Sequence, residues 1–141
     1  NSMRRPSDGL GQVLMGEGKE ALDVIDALQP IDKDILVYKR YLSGFSYNDL
    51  EYILRNLGID TVVIAGASTD NTVLWTAADA FQLRFKVAVL DDATMVHREG
   101  EPPEVQTYAL RIVSNVLHSD VLSLADAIPQ YISASERTQA S

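Results

Sequence analysis

With 141 residues, 46% of them hydrophobic and 23% charged, the chain has the proportions of one globular domain with room for a core. Twelve Lys and Arg against twenty Asp and Glu leave a net charge of −8, which argues against nucleic-acid backbones and anionic membrane surfaces as partners. The absence of cysteine excludes a disulfide framework, a thiolate metal site and a cysteine nucleophile in these residues, and two histidines, His97 and His118, are too few for a histidine-rich metal site.

Residues 1–16 are rich in Gly, Arg and Ser without a clear period and read as loop. Leu22, Ile25 and Leu28 fall at i, i+3 and i+6, which predicts a helix over 17–28, stopped by Pro30. Ile35-Leu36-Val37-Tyr38 is a short apolar run that predicts a buried strand ending at Lys39-Arg40. Ser46, with Asp49 three residues on, has the pattern of a capping box. Leu50, Ile53, Leu54 and Leu57 then follow at helical spacing, and Gly58 stands where a left-handed helix stop belongs. Thr61-Val62-Val63-Ile64-Ala65 predicts a second strand, closed by Gly66. After a short turn, residues 72–83 read as an Ala-rich helix, and residues 86–90 as a third strand ending at Asp91-Asp92. Beyond Pro102-Pro103, Val105, Tyr108, Ala109, Ile112, Val113, Val116 and Leu117 trace one face of an amphipathic helix. Residues 121–124 predict a fourth strand, followed by a short helix before Pro129 and a polar tail from Ser133.

Strands of about 4–6 apolar residues alternating with helices predict an α/β chain, a three-layer α/β/α sandwich around a mostly parallel, Rossmann-like sheet. One domain over 1–141 is expected, with no internal repeat. The first thirty residues hold no apolar run of signal-peptide type and no stretch reaches about 18 apolar residues, so a soluble, cytoplasmic protein is expected. In such sheets ligands bind beyond the carboxyl ends of the strands. That directs attention to Lys39, to residues 66–72 and to residues 91–94. Gly66-Ala67-Ser68-Thr69-Asp70-Asn71-Thr72 is a strand-to-helix turn of small residues whose amides suit an oxyanion or carboxylate. It lacks the Gly-Lys-Ser/Thr of a phosphate-binding loop and the Gly-x-Ser-x-Gly of a serine elbow.

Several segments together resemble the isochorismatase-like (cysteine hydrolase) superfamily: Tyr38-Lys39-Arg40-Tyr41-Leu42-Ser43-Gly44-Phe45, Asp49-Leu50, Leu54-Arg55-Asn56-Leu57-Gly58-Ile59-Asp60, Gly66 to Val73, and Thr76-Ala77-Ala78-Asp79-Ala80. The superfamily includes nicotinamidases, isochorismatases, and N-carbamoylsarcosine, maleamate and ureidoacrylate amidohydrolases. The resemblance runs from about Arg5 to Ala127. It implies that Lys39 is the lysine of an Asp–Lys–Cys triad and that Thr72 stands where the family carries its cysteine. It further implies a non-prolyl cis peptide at Ala67–Ser68, an oxyanion hole at the amides of Ser68 and Thr72, and a substrate pocket bordered by Tyr41, Phe45 and Ala67. No cofactor or metal is implied for these residues. The family's first strand, which carries the triad aspartate, has no counterpart in this sequence, so a sheet short of that strand is expected.

Three functions follow from the resemblance. The first is hydrolysis of a small amide, carbamoyl or ureido compound, with the chain as one piece of a split or processed domain. The second is hydrolysis of an isochorismate-type vinyl ether, an acid-catalysed reaction that needs no thiol. The third is an inactive binding or scaffold subunit. Expected partners are a small-molecule substrate and either further copies of the chain or a second polypeptide that carries the missing strand and aspartate. An uncovered strand edge would demand one or the other.

Overall fold

A computed structural model describes residues 26–96, 98 and 100–132. The chain divides into two compact units, Asn1–Leu36 and Val37–Ser141. In the described part of the first, a single 3-10 turn spans Asp26–Leu28. The rest of the helix expected over 17–28 lies outside the described residues. A second turn follows, in which the Ile31 amide donates to the Asp34 carboxylate (2.9 Å).

The strand expected at residues 35–38 does not form. Ile35, Leu36 and Tyr38 are 54%, 59% and 86% exposed, and the boundary between the units falls within the run. An apolar run becomes a strand only beside another strand that takes its backbone hydrogen bonds. Among the described residues none pairs with this one.

The second unit opens with a buried turn at Ser43 and helix α1, Leu50–Asn56. Ser46 does not cap it. Asn48 does the work expected of Ser46: its Oδ1 accepts from the Leu50 amide (3.0 Å) and its Nδ2 donates to the Gly44 carbonyl (2.8 Å). Asn carries a donor and an acceptor on separate atoms, and here the two tie the helix start to the preceding loop. The helix ends as expected. Gly58 takes φ 70°, the Gly58 amide reaches the Arg55 carbonyl (3.0 Å), and the Ile59 amide reaches that of Leu54 (3.0 Å). These two bonds make a Schellman stop.

Strands β1 (Thr61–Ala67), β2 (Lys86–Met95) and β3 (Asp120–Leu122) form a parallel sheet in the order β1-β2-β3. Helices α2 (Leu74–Gln82) and α3 (Glu104–Asn115) join them. Helix α4 (Leu124–Ala127) follows β3, with Ser123 Oγ accepting from the Asp126 amide (3.2 Å). This is the α/β fold expected, on a sheet of three strands among the described residues. Val87 and Val89 of β2 turn into a core with Val73, Ala77 and Ala80 beside α2 and within it, and with Val113 of α3. Ala88 and Leu90 project to the other face and are equally buried. Both faces of β2 are therefore covered, which is why its sequence is a continuous apolar run rather than an alternating one.

Ladder register puts Ile64 opposite Val89 and then Gly66 opposite Thr94. Residues 90–93 of β2 thus bulge out, closed by the Thr94 hydroxyl donating to the Leu90 carbonyl (2.7 Å). The bulge sets the carboxyl end of the sheet, where β1 runs into the turn 66–72.

Candidate active site

β1 delivers the chain to a turn whose groups bond mostly to one another. The Ala67–Ser68 peptide is cis, as the resemblance implied. The Ser68 carbonyl accepts from the amides of Asn71 and Val73 (both 3.1 Å), and a π-helical turn, Thr69–Val73, carries the chain into α2. That wider turn is why α2 proper begins at Leu74 rather than at Thr72. Thr69 is fully buried there, its hydroxyl oxygen without a hydrogen-bond partner among the described residues.

Thr72 is half-buried at the mouth of the turn, and its hydroxyl donates to the Ala67 carbonyl (2.7 Å). Its proton is therefore committed to a backbone acceptor, not to a base. The Thr72 carbonyl in turn accepts from the Thr76 hydroxyl (2.6 Å), and Thr76 Oγ1 accepts from the Gly44 amide (2.9 Å). Thr76 so links the loop after Lys39 to the turn after β1. Sequence reading placed Thr76 only within the motif Thr76-Ala77-Ala78-Asp79-Ala80. Its spacing of four from Thr72 on a helix was the available signal for a side chain bonded to the preceding turn.

Lys39 donates to the carbonyls of Tyr41 (3.0 Å) and Leu42 (3.1 Å). Partial desolvation lowers its pKa. No carboxylate lies within ion-pair distance of it among the described residues. Tyr41, half exposed, lies 4.9 Å from Tyr47, ring to ring. Phe45 packs against Phe85, ring centroids 5.7 Å apart, and borders an apolar cavity beside β1. The structure thus joins Ala67, Ser68 and Thr72 in one turn and ties Gly44, next to Phe45, to it. The hydrogen bonds of Lys39 go to Tyr41 and Leu42, within its own loop.

On the outer side of the turn, Ser68 Oγ donates to Asp70 (2.6 Å), and Asp70 pairs with Arg98, which also holds Glu101 (2.9 Å). Burial works against the charge of Asp70, yet the Ser68 hydroxyl and the Arg98 guanidinium outweigh it and hold the carboxyl below its usual range. Beyond this pair a cavity of about 340 Å³ is lined by Asp91, Thr94, Arg98, Glu101 and Gln106. Arg98 gave no sign in the sequence, where it is one charged residue in the polar stretch before Pro102-Pro103. Asp92, among the strand-end residues 91–94 singled out in the sequence, has a structural role: its Oδ1 accepts from the Leu124 amide (2.9 Å). His97 lies outside the described residues, and His118 is exposed at φ 47°. No cluster of three His, Asp or Glu side chains able to hold a metal occurs among the described residues. None of their helices is long and apolar enough to cross a membrane.

The family model for the isochorismatase domain matches residues 1–119. The chain belongs to the isochorismatase family. It is similar to a ureidoacrylate amidohydrolase, RutB, of Methylorubrum extorquens, with 35% identity over 127 residues, which are 89% of this chain and 49% of that protein. Among solved structures it is similar to an isochorismatase-like hydrolase from Alkaliphilus metalliredigens (37% identity, TM-score 0.66, 79% of this chain and 56% of that one). It is also similar to N-carbamoylsarcosine amidase from Thermoplasma acidophilum (32% identity, TM-score 0.67, 82% and 65%). The chain spans about half the length of the curated relatives it matches.

Proposed function

We propose that the chain acts in hydrolysis of a small amide, carbamoyl or ureido compound, with the turn 67–72 as its carbonyl-binding element. The substrate's carbonyl oxygen sits at the backbone amides of Ser68 and Thr72, whose dipoles stabilise the negative charge that develops there. The observation that carries this reading is the Thr72 hydroxyl bonded to the Ala67 carbonyl. It turns Thr72 into a brace for the turn rather than an attacking group, since a threonine hydroxyl needs a strong base beside it to attack. Lys39, desolvated and held on two carbonyls, supplies the positive charge that an anionic partner of the reaction needs. The names of two relatives, a ureidoacrylate amidohydrolase and an N-carbamoylsarcosine amidase, support the substrate class.

The test is ammonia release from ureidoacrylate and N-carbamoyl amino acids by the native chain and by Thr72→Cys, Thr72→Ala and Lys39→Ala. Thr72→Cys is expected to raise release at least about tenfold and to show an acyl adduct by intact mass, because a thiol is the better nucleophile at neutral pH. Thr72→Ala is expected to stay near the native rate, and Lys39→Ala to fall to background. Silence of both the native chain and Thr72→Cys over the whole panel would overturn the reading.

The absence of cysteine from all 141 residues favours a second reading, hydrolysis of an isochorismate-type vinyl ether. There a carboxylic acid protonates the substrate and water attacks. Turnover of isochorismate that Thr72→Cys does not raise would select it. Ligand binding without turnover of either class would select a binding subunit.

A further inference from the structure

The turn after β1 and the loop that carries Lys39 are each bonded largely within themselves. In the turn, the Thr72 hydroxyl donates to the Ala67 carbonyl (2.7 Å), and the Ser68 carbonyl accepts from the amides of Asn71 and Val73 (both 3.1 Å). In the loop, Lys39 Nζ donates to the carbonyls of Tyr41 and Leu42, the Phe45 amide donates to Ser43 Oγ (3.1 Å), and Asn48 Nδ2 donates to the Gly44 carbonyl (2.8 Å). Such bonds fix the shape of each piece. They do not fix how one piece stands to the other.

Phe45 rests on Phe85, ring centroids 5.7 Å apart, and packs against the core that holds Val73. Apolar contact of this kind is non-directional, so it holds the loop down without setting its register. The Thr76 hydroxyl is directional. It accepts from the Gly44 amide (2.9 Å) and donates to the Thr72 carbonyl (2.6 Å), so one oxygen atom touches both pieces. Hydrogen bonds weaken steeply with poor length or angle, and the two together set a distance and a direction. The oxygen is itself held. Thr is β-branched and stiff at χ1 in a helix, and its bond to the carbonyl four residues back selects the rotamer. Its methyl closes the joint: a Cβ on Gly44 would lie 3.3 Å from Thr76 Cγ2 and 3.7 Å from Leu50 Cδ2, so the bare backbone at residue 44 lets the loop come this close.

We propose that Thr76 is a positioning residue, whose hydroxyl holds the Lys39 loop in one fixed relation to the turn 67–72. This role rests on the reading of that turn as the carbonyl-binding element. There the charge of Lys39 and the amides of Ser68 and Thr72 serve one substrate, and a displacement of about 1 Å caused away from the chemistry can cost about a hundredfold in rate. Thr76 does this without touching the substrate. It acts on backbone atoms at both ends, so a new side chain at residue 72 leaves the joint in place.

Two variants of the full chain test it. Thr76→Val keeps the branched shape and removes the hydroxyl, and Thr76→Ser keeps the hydroxyl. Amide hydrogen exchange reads the joint without any turnover. Thr76→Val is expected to speed exchange about tenfold or more at Gly44, Asn71 and Val73, and to leave Val89 in β2 as it was. Thr76→Ser is expected to keep the native pattern. The rate is read as ammonia release from ureidoacrylate in the Thr72→Cys background. There Thr76→Val is expected to lower kcat about tenfold or more with KM within about twofold, while Thr76→Ser in its place keeps most of the rate. Three results would each overturn the proposal. One is faster exchange at Gly44 with Asn71 and Val73 unmoved. Another is a rise of equal size at Val89, which marks loosening of the whole unit. The third is a kcat that Thr76→Val leaves unchanged. Silence of Thr72→Cys over the whole panel overturns the reading of the turn instead, and exchange then decides the joint alone.

Discussion

Thr72 and Asp70 hold the turn after β1 from its two sides, and each makes a separate measurable contribution. The Thr72 hydroxyl gives the Ala67 carbonyl a donor, so Thr72→Val should cost about 1 kcal/mol and Thr72→Ser much less. In a domain of this size a thermal melt would register the first as a shift of several degrees. Asp70 responds to acid. Its folded-state carboxyl titrates below the unfolded value of about 3.9, so its stabilisation is full above that pH and is lost as pH falls through the lower folded value. Melting temperature followed from pH 7 downward should therefore hold its Asp70 contribution until about pH 4 and lose it below. Asp70→Asn should remove that part of the acid slope. An unchanged slope in Asp70→Asn would show that the Arg98 pair contributes nothing to stability.

The elements differ in how much of them could be read in advance. β1, β2 and the two long helices follow from local pattern, because each apolar run or helical period coincides with a surface the fold buries. The left-handed stop at Gly58 was legible too, since little besides glycine is at ease at φ 70°. The run at residues 35–38 was misleading for the opposite reason: its composition suits a strand, but pairing is a property of neighbours, and no described strand stands beside it. The position of the turn 66–72 was visible in its small residues. Its braces were not, because Thr76 and Arg98 reach it from other elements. Gly44 shows how tight that bracing is. A Cβ there would sit 3.3 Å from Thr76 Cγ2, and Thr76 is fixed by hydrogen bonds to Gly44 and to Thr72. Gly44→Ala should thus destabilise the unit by about 1–2 kcal/mol in chemical denaturation.

The stability of the second unit as a whole centres on the contact of β2 with α2 and α3. Val89 and Val113 are fully buried there, so Val89→Ala should cost about 2–3 kcal/mol through lost burial and the cavity left behind. Trp75, 53% exposed on α2, has no such role, and Trp75→Ala should stay within about 0.5 kcal/mol in the same denaturation series. That contrast runs against the usual expectation that the one tryptophan anchors a core. It places the weight on small residues, Ala77, Ala80 and Ala88, which let helix and sheet approach closely. Among the described residues β2 is covered on both faces, while β1 pairs along one edge.

The bulge in β2 divides that strand into two stretches with separate obligations. The ladder to β3 ends at Leu90, and the last pairs with β1 begin at Thr94, so residues 91–93 belong to neither. Adding or removing a residue before Leu90 would reverse which side chains face inward along both ladders. The same change between Leu90 and Thr94 leaves inside–outside parity intact on each side, and is limited by two ties, the Thr94 hydroxyl on the Leu90 carbonyl and the carboxylate of Asp92 on the Leu124 amide. An insertion here would leave both ladders in register, and the rim of the cavity at Asp91 would be reshaped with it.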